Sequence, residues 1–510
     1  MLSRVKSATI YGIDGIIIEV EVDLSRGLPS FDIVGLPDTA VRESRERVRA
    51  AILNSGYEFP IQRITINLAP GDIKKIGSHF DLAIAIGILD ASGQLPAGVG
   101  NYLYVGELSL TGSLRGIKGV LPMALEARKQ GLQGIILPEE NYQEALYVEG
   151  LEVVPVRRLQ DLISFYSGGK LDLSRENEVF SNKKREENYA LDFADVKGQE
   201  EAKRAMKIAA AGKHNLIMIG PPGAGKTMLA RRLRTILPPL TEEEALELSR
   251  IYSIMGLLPP GQALLKERPF RAPHHSISTS GLIGGGRIPE PGEISLAHHG
   301  TLFLDELPEF QRNVLEMLRQ PMEEGIVNIV RASMSVTFPA DFMLIAAMNP
   351  CPCGYYGDDR HECTCTGPQI NKYRAKVSGP LLDRIDIHIE VPALTIDELT
   401  GKARSGESSA DMRKEVVAAQ EIQLDRYKNE KFNYNSDLSG KALEKYCPVD
   451  DNGLFLLKNA IERLGLSARA YDRILKLART IADLDKSEMI KSDHIAEAIQ
   501  YRSFDRRMVI

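Results

Sequence analysis

The run from Asn215 to Ile219 is apolar after its first residue and leads directly into Gly220-Pro221-Pro222-Gly223-Ala224-Gly225-Lys226-Thr227, after which a helical pattern follows. No other segment constrains the chain as tightly, because G-x-x-x-x-G-K-[ST] between a strand and a helix has one well-understood use. Glycines let the backbone wrap phosphate oxygens, so that amide N–H groups and the positive end of the next helix face the negative charge. The segment therefore predicts a nucleotide-binding α/β core. Gly220 to Gly225 cradle the phosphates of ATP, Lys226 reaches the β- and γ-phosphates, and Thr227 ligates Mg2+.

Such a site needs a carboxylate on the metal, and Thr301-Leu-Phe-Leu-Asp305-Glu306 offers one where an apolar strand ends. Parallel sheets bind ligands at that edge. Asp305 is expected on Mg2+ and Glu306 on the attacking water. A second apolar run, Met343 to Met348, ends in Asn349, whose amide can orient the water or read the γ-phosphate. Arg384 follows in Ser378-Gly-Pro-Leu-Leu-Asp383-Arg384, and a guanidinium there can stabilise charge on the phosphoryl group. Arg469 and Arg473 stand one turn apart on an amphipathic helix and can point the same way.

A length of 510 residues is a prior of roughly three domains. Residues 1–172 alternate strand-like runs (Ile16 to Val22, Ile64 to Leu68, Tyr102 to Leu110) with helical ones (Thr39 to Leu53, Leu121 to Gln130), which predicts a separate α/β domain. Charged and polar residues over 173–189 read as a linker. The nucleotide-binding core is expected over 190–393, with a cysteine-rich insertion at 350–366, and a helical subdomain over 394–510. Lys and Arg number 63 against 69 Asp and Glu, a net charge of −6. That balance excludes a protein that coats nucleic acid by bulk attraction; any contact must be local. The first residues carry Asp14 and Glu19 before any long apolar run, and no stretch reaches the ~20 apolar residues that span a bilayer. A cytoplasmic protein without a membrane partner is expected.

Phosphate loop, Asp-Glu strand, Asn strand, Leu-Leu-Asp-Arg turn and helical end occur in the order of an AAA+ ATPase. More narrowly, Phe270-Arg-Ala-Pro-His-His-Ser276, Gly292-Glu-Ile-Ser-Leu-Ala-His-His-Gly-Thr-Leu-Phe-Leu-Asp-Glu306 and Ser467-Ala-Arg-Ala-Tyr-Asp-Arg473 resemble the magnesium-chelatase-like ATPases, and within them the ComM/YifB family, over essentially the whole chain. The resemblance implies a P-loop AAA+ core with a C-terminal helical lid, preceded by a Lon-protease-like α/β domain. It makes Lys226 and Thr227 Walker A, Asp305 and Glu306 Walker B, Asn349 sensor 1, Arg384 an arginine finger acting across a subunit interface, and Arg469 sensor 2. A homo-hexamer follows from the trans-acting finger. In this clade an insertion before Walker B and a hairpin before sensor 1 project toward the pore. Here these are the basic stretch Leu265 to Pro289, with Arg271 and Arg287, and Ile326 to Phe338, with Arg331 near its tip. The three arginines are the candidate DNA contacts. The Ser-Lys dyad of Lon-type proteases does not carry over, since Phe80 and Leu121 occupy its positions. The domain is expected to be non-proteolytic, although Ser78 and Lys118 nearby leave a shifted dyad open.

Cys351-Pro-Cys353 and Cys363-Thr-Cys365 supply four soft ligands within fifteen residues, enough for a tetrahedral zinc. His361 between the pairs can replace one of them, and reduced thiols or a redox switch are the alternatives. The implied function is an ATP-driven hexameric motor on single-stranded or branched DNA, a branch-migration or helicase activity serving natural transformation or recombination. Two alternatives stand beside it: a chelatase-type or protein-remodelling ATPase that does not act on DNA, and an ATP-gated scaffold.

Overall fold

The computed structural model describes residues 1–95, 99–166, 191–259, 261–331, 334–394, 406–464 and 467–502. The expected linker at 173–189 lies outside the described residues. The chain divides into two compact units, one of residues 1–184 and 242–266, the other of 185–241 and 267–510.

The first unit is built on a seven-stranded mixed sheet, in the order Ser30–Val34, Arg63–Ala69, Asp14–Ser25, Leu2–Tyr11, Tyr102–Tyr104, Gly134–Pro138, Glu152–Val156. Leu2–Tyr11 and Asp14–Ser25 form a hairpin closed at Gly12-Ile13, with Leu2 opposite Asp23 and Tyr11 opposite Asp14. Their alternation puts Val5, Ile18, Val20 and Val22 inward. The helix Asp81–Ala91 is buried on nearly every side, as expected of a helix apolar all round. Its first residue, Asp81, pairs with Arg47 at 2.7 Å. Burial pushes the Asp81 carboxyl up to about 6 against the pull of Arg47. The run expected as one strand from Tyr102 to Leu110 breaks into Tyr102–Tyr104 and Glu107–Leu108. Phe80 and Leu121 are fully buried, in separate apolar clusters.

The helix Glu242–Met255 was expected within the continuous core at 190–393, yet it belongs to this first unit. Leu246 packs into the cluster built around the helix Val120–Lys129, the Ser253 carbonyl accepts from the Gly119 amide at 3.0 Å, and Tyr147 donates to Glu242 at 2.8 Å. An apolar stripe is buried wherever a matching face exists, whatever its neighbours in sequence.

The second unit holds a five-stranded, wholly parallel sheet in the order Phe270–Arg271, Thr301–Leu304, Met343–Met348, Leu216–Ile219, Ile387–Glu390. The central three are buried throughout, as in a sheet covered on both faces. The C-terminal helices Ser409–Arg426, Asp451–Leu464, Ala468–Leu484 and Ser492–Gln500 do not separate as a third unit. Ile474, Leu477, Ala478 and Ile481, at helical spacing, join the same apolar cluster as Met206, Leu216 and Ile387. Polar ties cross the same boundary: Gln420 and Gln423 donate to the carbonyls of Ala210 and Ala211, which end the helix Glu200–Gly212.

Candidate active site

The buried strand Leu216–Ile219 delivers Gly220, where a Cβ would come within 2.1 Å of the Val391 carbonyl oxygen. Only glycine fits there. Gly223 and Gly225 take φ of 79° and 88°, so the loop can curl before the helix Lys226–Ile236 begins. The Lys226 ammonium is buried and donates to the carbonyls of Gly220 at 2.7 Å and Pro221 at 2.9 Å, and to Asn349 Oδ1 at 3.1 Å. Burial lowers its pKa, while Asp305 and Glu306 pull it back up. Thr227 Oγ1 donates to Asp305 Oδ2 at 2.7 Å, and Asp305 Oδ1 accepts the Glu306 amide at 2.9 Å.

These contacts join three strand ends. Thr301–Leu304 and Leu216–Ile219 both pair with Met343–Met348, so Asp305, the phosphate loop and Asn349 emerge together at the carboxyl edge of the sheet. Thr227 and Asp305 set two oxygen ligands side by side, a donor pair that suits Mg2+. Glu306 sits at φ 53° and its Oε2 lies 3.3 Å from His275 Nδ1. His275, in the loop after the strand Phe270–Arg271, carries no local sequence signal for this contact, since it lies 31 residues before Glu306 in the chain.

Arg384 and Arg469 are not part of this group. Asn215, just before the phosphate-loop strand, is bonded to the Asp386 and Ile387 amides through its carbonyl, whereas Ile219 pairs with Glu390 at the other end. From Asn215 to Gly220, at ~3.3 Å per residue, roughly 17 Å of strand separates Arg384 from the phosphate loop. Arg384 is buried, paired with Glu323 at 2.6 Å and donating to Pro380 O at 2.7 Å, and its Nε has no hydrogen-bond partner among the described residues. It shares a cavity of about 400 Å3 with Arg469, Arg473 and Lys476. Arg473 pairs with Asp386, whereas Arg469 is exposed and makes no hydrogen bond or ion pair among the described residues. Burial would push the Asp386 carboxyl up, but Arg473, His214 and Lys476 outweigh it and hold it well below the usual carboxylate range.

The three expected DNA contacts part company. Arg271 donates through Nε and Nη2 to Glu293, at 2.6 and 2.7 Å, so its charge is answered within the chain. Arg287 is exposed on the loop that follows Gly284, Gly285 and Gly286. Arg331 ends the strand Ile326–Arg331, which pairs with Met334–Pro339, and its Nη2 lies 3.3 Å from where a Cβ at Gly285 would sit. The hairpin therefore brings Arg331 against the glycine loop that leads into Arg287.

The four cysteine sulfurs of the insertion all lie within 4.8 Å of one another. Cys351 stands 3.3 Å from Cys353 and 3.7 Å from Cys363, and Cys353 3.6 Å from Cys363. None is oxidised to a disulfide. His361 is not among the group; it pairs with Asp358 at 3.1 Å and lies against the Tyr355 ring. In the first unit Ser78 bonds to Glu107 and Lys118 lies against Gly256, so the two make no dyad among the described residues.

Family models described as magnesium chelatase subunit ChlI match residues 192–399 and 20–141, and its C-terminal model matches 406–502. The competence protein ComM of Haemophilus influenzae is 46% identical over 513 residues, covering 99% of this chain and 98% of that one. The uncharacterized protein YifB of Escherichia coli is 44% identical over 509 residues, covering 100% and 98%. A shorter similarity, 27% over 177 residues, covers 31% of this chain and 32% of Lon protease 2 of Bacillus subtilis. With a parallel phosphate-loop core, a helical C-terminal region and full-length similarity of this order, the chain belongs to the ComM/YifB family of magnesium-chelatase-like AAA+ ATPases.

Proposed function

We propose that this chain is an ATP-driven motor that works as a homo-hexameric ring on single-stranded or branched DNA, in the cytoplasm, as a branch-migration or helicase enzyme. The observation that carries the reading is the split of the site. Lys226, Thr227, Asp305, Glu306 and Asn349 converge at one end of the central strand, and Arg384 and Arg469 line a cavity at the other. An arginine roughly 17 Å away along a strand cannot reach its own chain's γ-phosphate. A head-to-tail ring supplies the missing half, each subunit offering its arginines to the neighbour's phosphate loop.

On this reading the loop amides from Gly220 to Gly225 and the start of the helix Lys226–Ile236 bind the phosphates, and Lys226 exchanges its carbonyl partners for phosphate oxygens. Glu306 takes the proton of the attacking water, and Asn349 holds that water in line. Thr227 and Asp305 would hold Mg2+, which would supply positive charge against the phosphates. Arg384 of the adjoining subunit stabilises the transferring group, with Arg469 beside it. Cys351, Cys353, Cys363 and Cys365 would hold Zn2+. Arg287 and Arg331 face the DNA backbone from the pore, where a few cations suffice despite a net charge of −6. The name of the Haemophilus influenzae relative, a competence protein, supports placing the work in natural transformation. The matches to chelatase subunit models favour the second reading, a chelatase-type or protein-remodelling motor.

The test compares ATP turnover with and without single-stranded or forked DNA, and migration of a four-way junction, for wild type and Lys226→Ala. The DNA reading expects stimulation of turnover and junction migration that Lys226→Ala abolishes. Turnover indifferent to DNA, with no junction moved at low salt, leaves the second reading in possession.

A further inference from the structure

Three properties of the cysteine cluster point beyond four neighbouring thiols. Three sulfur separations, 3.3, 3.6 and 3.7 Å, approach the ~3.8 Å edge of a tetrahedron with zinc–sulfur bonds of ~2.3 Å. Two sulfurs already accept backbone amides, Cys365 from Cys353 at 3.4 Å and Cys351 from Tyr356 at 3.3 Å, the outer-sphere bonds that stabilise thiolate ligands. An all-thiolate set also selects a soft or borderline cation over Mg2+ or Ca2+.

The cluster is not a remote ornament. Cys351 follows Asn349 by two residues, and Asn349 accepts from Lys226 at 3.1 Å. Between the two cysteine pairs the backbone turns at Gly354, φ +91°, whose amide donates to the Cys351 carbonyl at 3.0 Å. A Cβ there would stand 2.7 Å from Cδ of Pro222, in the phosphate loop, so the turn is seated directly on that loop. The proline ring has no flexible end to swing aside. On the outer side Arg374 donates to the Pro350 carbonyl at 3.1 Å and lies over the Tyr356 ring.

We propose that Cys351, Cys353, Cys363 and Cys365 bind one Zn2+, and that the resulting clasp is the wall against which the phosphate loop is set, so that losing the metal weakens nucleotide binding. The coupling rests on reading Gly220 to Thr227 as the ATP cradle; the metal site does not. A four-thiolate zinc fixes two loop segments at once, and a loop whose donors must meet phosphate oxygens within a fraction of an ångström loses affinity when its wall moves.

Zinc in the full-length protein, purified without chelator, is measured by atomic emission, and affinity for a fluorescent ADP analogue by titration. The expected results are one zinc per wild-type chain, none in Cys363→Ser, and about tenfold or greater weakening of the analogue on stripping the wild type, reversed by added Zn2+. Gly354→Ala, which crowds Pro222 and strains the turn, should bind the analogue more weakly even when its zinc content, measured on the same sample, equals that of wild type. Zinc absent from wild type, iron in its place, or zinc unchanged in Cys363→Ser overturns the site. Full affinity in the stripped protein overturns the coupling. Zinc-loaded wild type that binds no nucleotide defeats the ATPase reading and leaves the zinc site standing. If Cys363→Ser does not fold, stripping and restoring the wild type decides alone.

Discussion

Replacing Arg384 with Ala tests whether the two halves of the split site belong to different subunits. The arginine stands at the amino end of the strand Ile387–Glu390, while the phosphate loop follows Ile219, the partner of Glu390 at the carboxyl end. Nucleotide binding in Arg384→Ala should therefore be close to wild type, since Lys226 and Thr227 keep every contact. Turnover should fall by ~10³ to 10⁵, or about 4–7 kcal/mol of transition-state stabilisation. The decisive arm mixes Arg384→Ala with Lys226→Ala, each inactive alone. In a random one-to-one ring, an intact phosphate loop meets an intact arginine at about one interface in four, so the mixture should recover roughly a quarter of wild-type turnover. An arginine acting within its own chain predicts no recovery, because every chain then carries a broken site. Mixed rings no more active than the separate variants, or loss of nucleotide binding in Arg384→Ala, would refute the trans assignment. Circular dichroism and sedimentation separate this from simple unfolding, which the loss of the Glu323 pair and the Pro380 hydrogen bond makes a necessary control.

Asp386→Asn should destabilise the ATPase unit by about 3–5 kcal/mol in urea unfolding, because it leaves Arg473 with its buried partner uncharged. The Asp386 pKa is depressed on folding, so its contribution is present above the unfolded value of a carboxyl and is lost as pH falls toward the folded one; wild type should lose stability in acid more steeply than the variant. Asp81 has the opposite sign. Its pKa rises from 3.8 to about 6 on folding, so the first unit is favoured below the unfolded value and loses on the order of 3 kcal/mol as pH climbs through about 6. Asp81→Asn should flatten melting temperature against pH between about 4 and 6, and a slope unchanged by the substitution refutes the assignment. For DNA, Arg287→Ala and Arg331→Ala should each reduce the salt dependence of binding by about one phosphate contact, while Arg271→Ala, already committed to Glu293, should leave the slope alone.

What could be read from the chain alone follows how far apart the interacting residues lie. The phosphate loop is contiguous, and its glycines, lysine and threonine carry their chemistry in eight adjacent letters, so Lys226 and Thr227 were legible at once. Asp305 and Asn349 were legible because each ends an apolar strand, and a parallel sheet gathers such ends at one edge. The partner of Arg271 could not be read from the basic stretch Leu265 to Pro289, because Glu293 lies beyond it, 22 residues on. The helix Glu242–Met255 was misplaced for a similar reason: its apolar face matches Val120–Lys129, far upstream, and nothing in its own sequence says so. The buried helix Asp81–Ala91 has apolar residues on all sides and hence no period to mark it in the sequence. Gly354 was invisible as a functional position, since its tight fit against Pro222 exists only after the cysteine loop has folded.

The two arginines at the far end of the sheet are held in register by a buried clamp. Asp386 stands two residues after Arg384, and Arg473 one helical turn after Arg469, so the Asp386–Arg473 pair ties the segment bearing one arginine to the helix bearing the other. His214 extends the clamp, with Nδ1 3.5 Å from Asp386 and Nε2 2.7 Å from Thr480 on that same helix. In a low-dielectric interior such a network holds its geometry closely, because a broken link strands a charge or a polar atom without water. The helices and the sheet also share one apolar cluster, so behind the cavity that Arg384 and Arg469 line the two elements are packed together. On the ring reading, whatever the neighbour's γ-phosphate does to one arginine is therefore felt by the other and by the whole sheet-and-helix body. The other end of that body carries the phosphate loop, reached through the four buried residues Leu216–Ile219. A close-packed strand transmits displacement rather than absorbing it. If the chain forms the proposed ring, hydrolysis at one interface would bear on the loop at the next, a physical route by which subunits would fire in sequence.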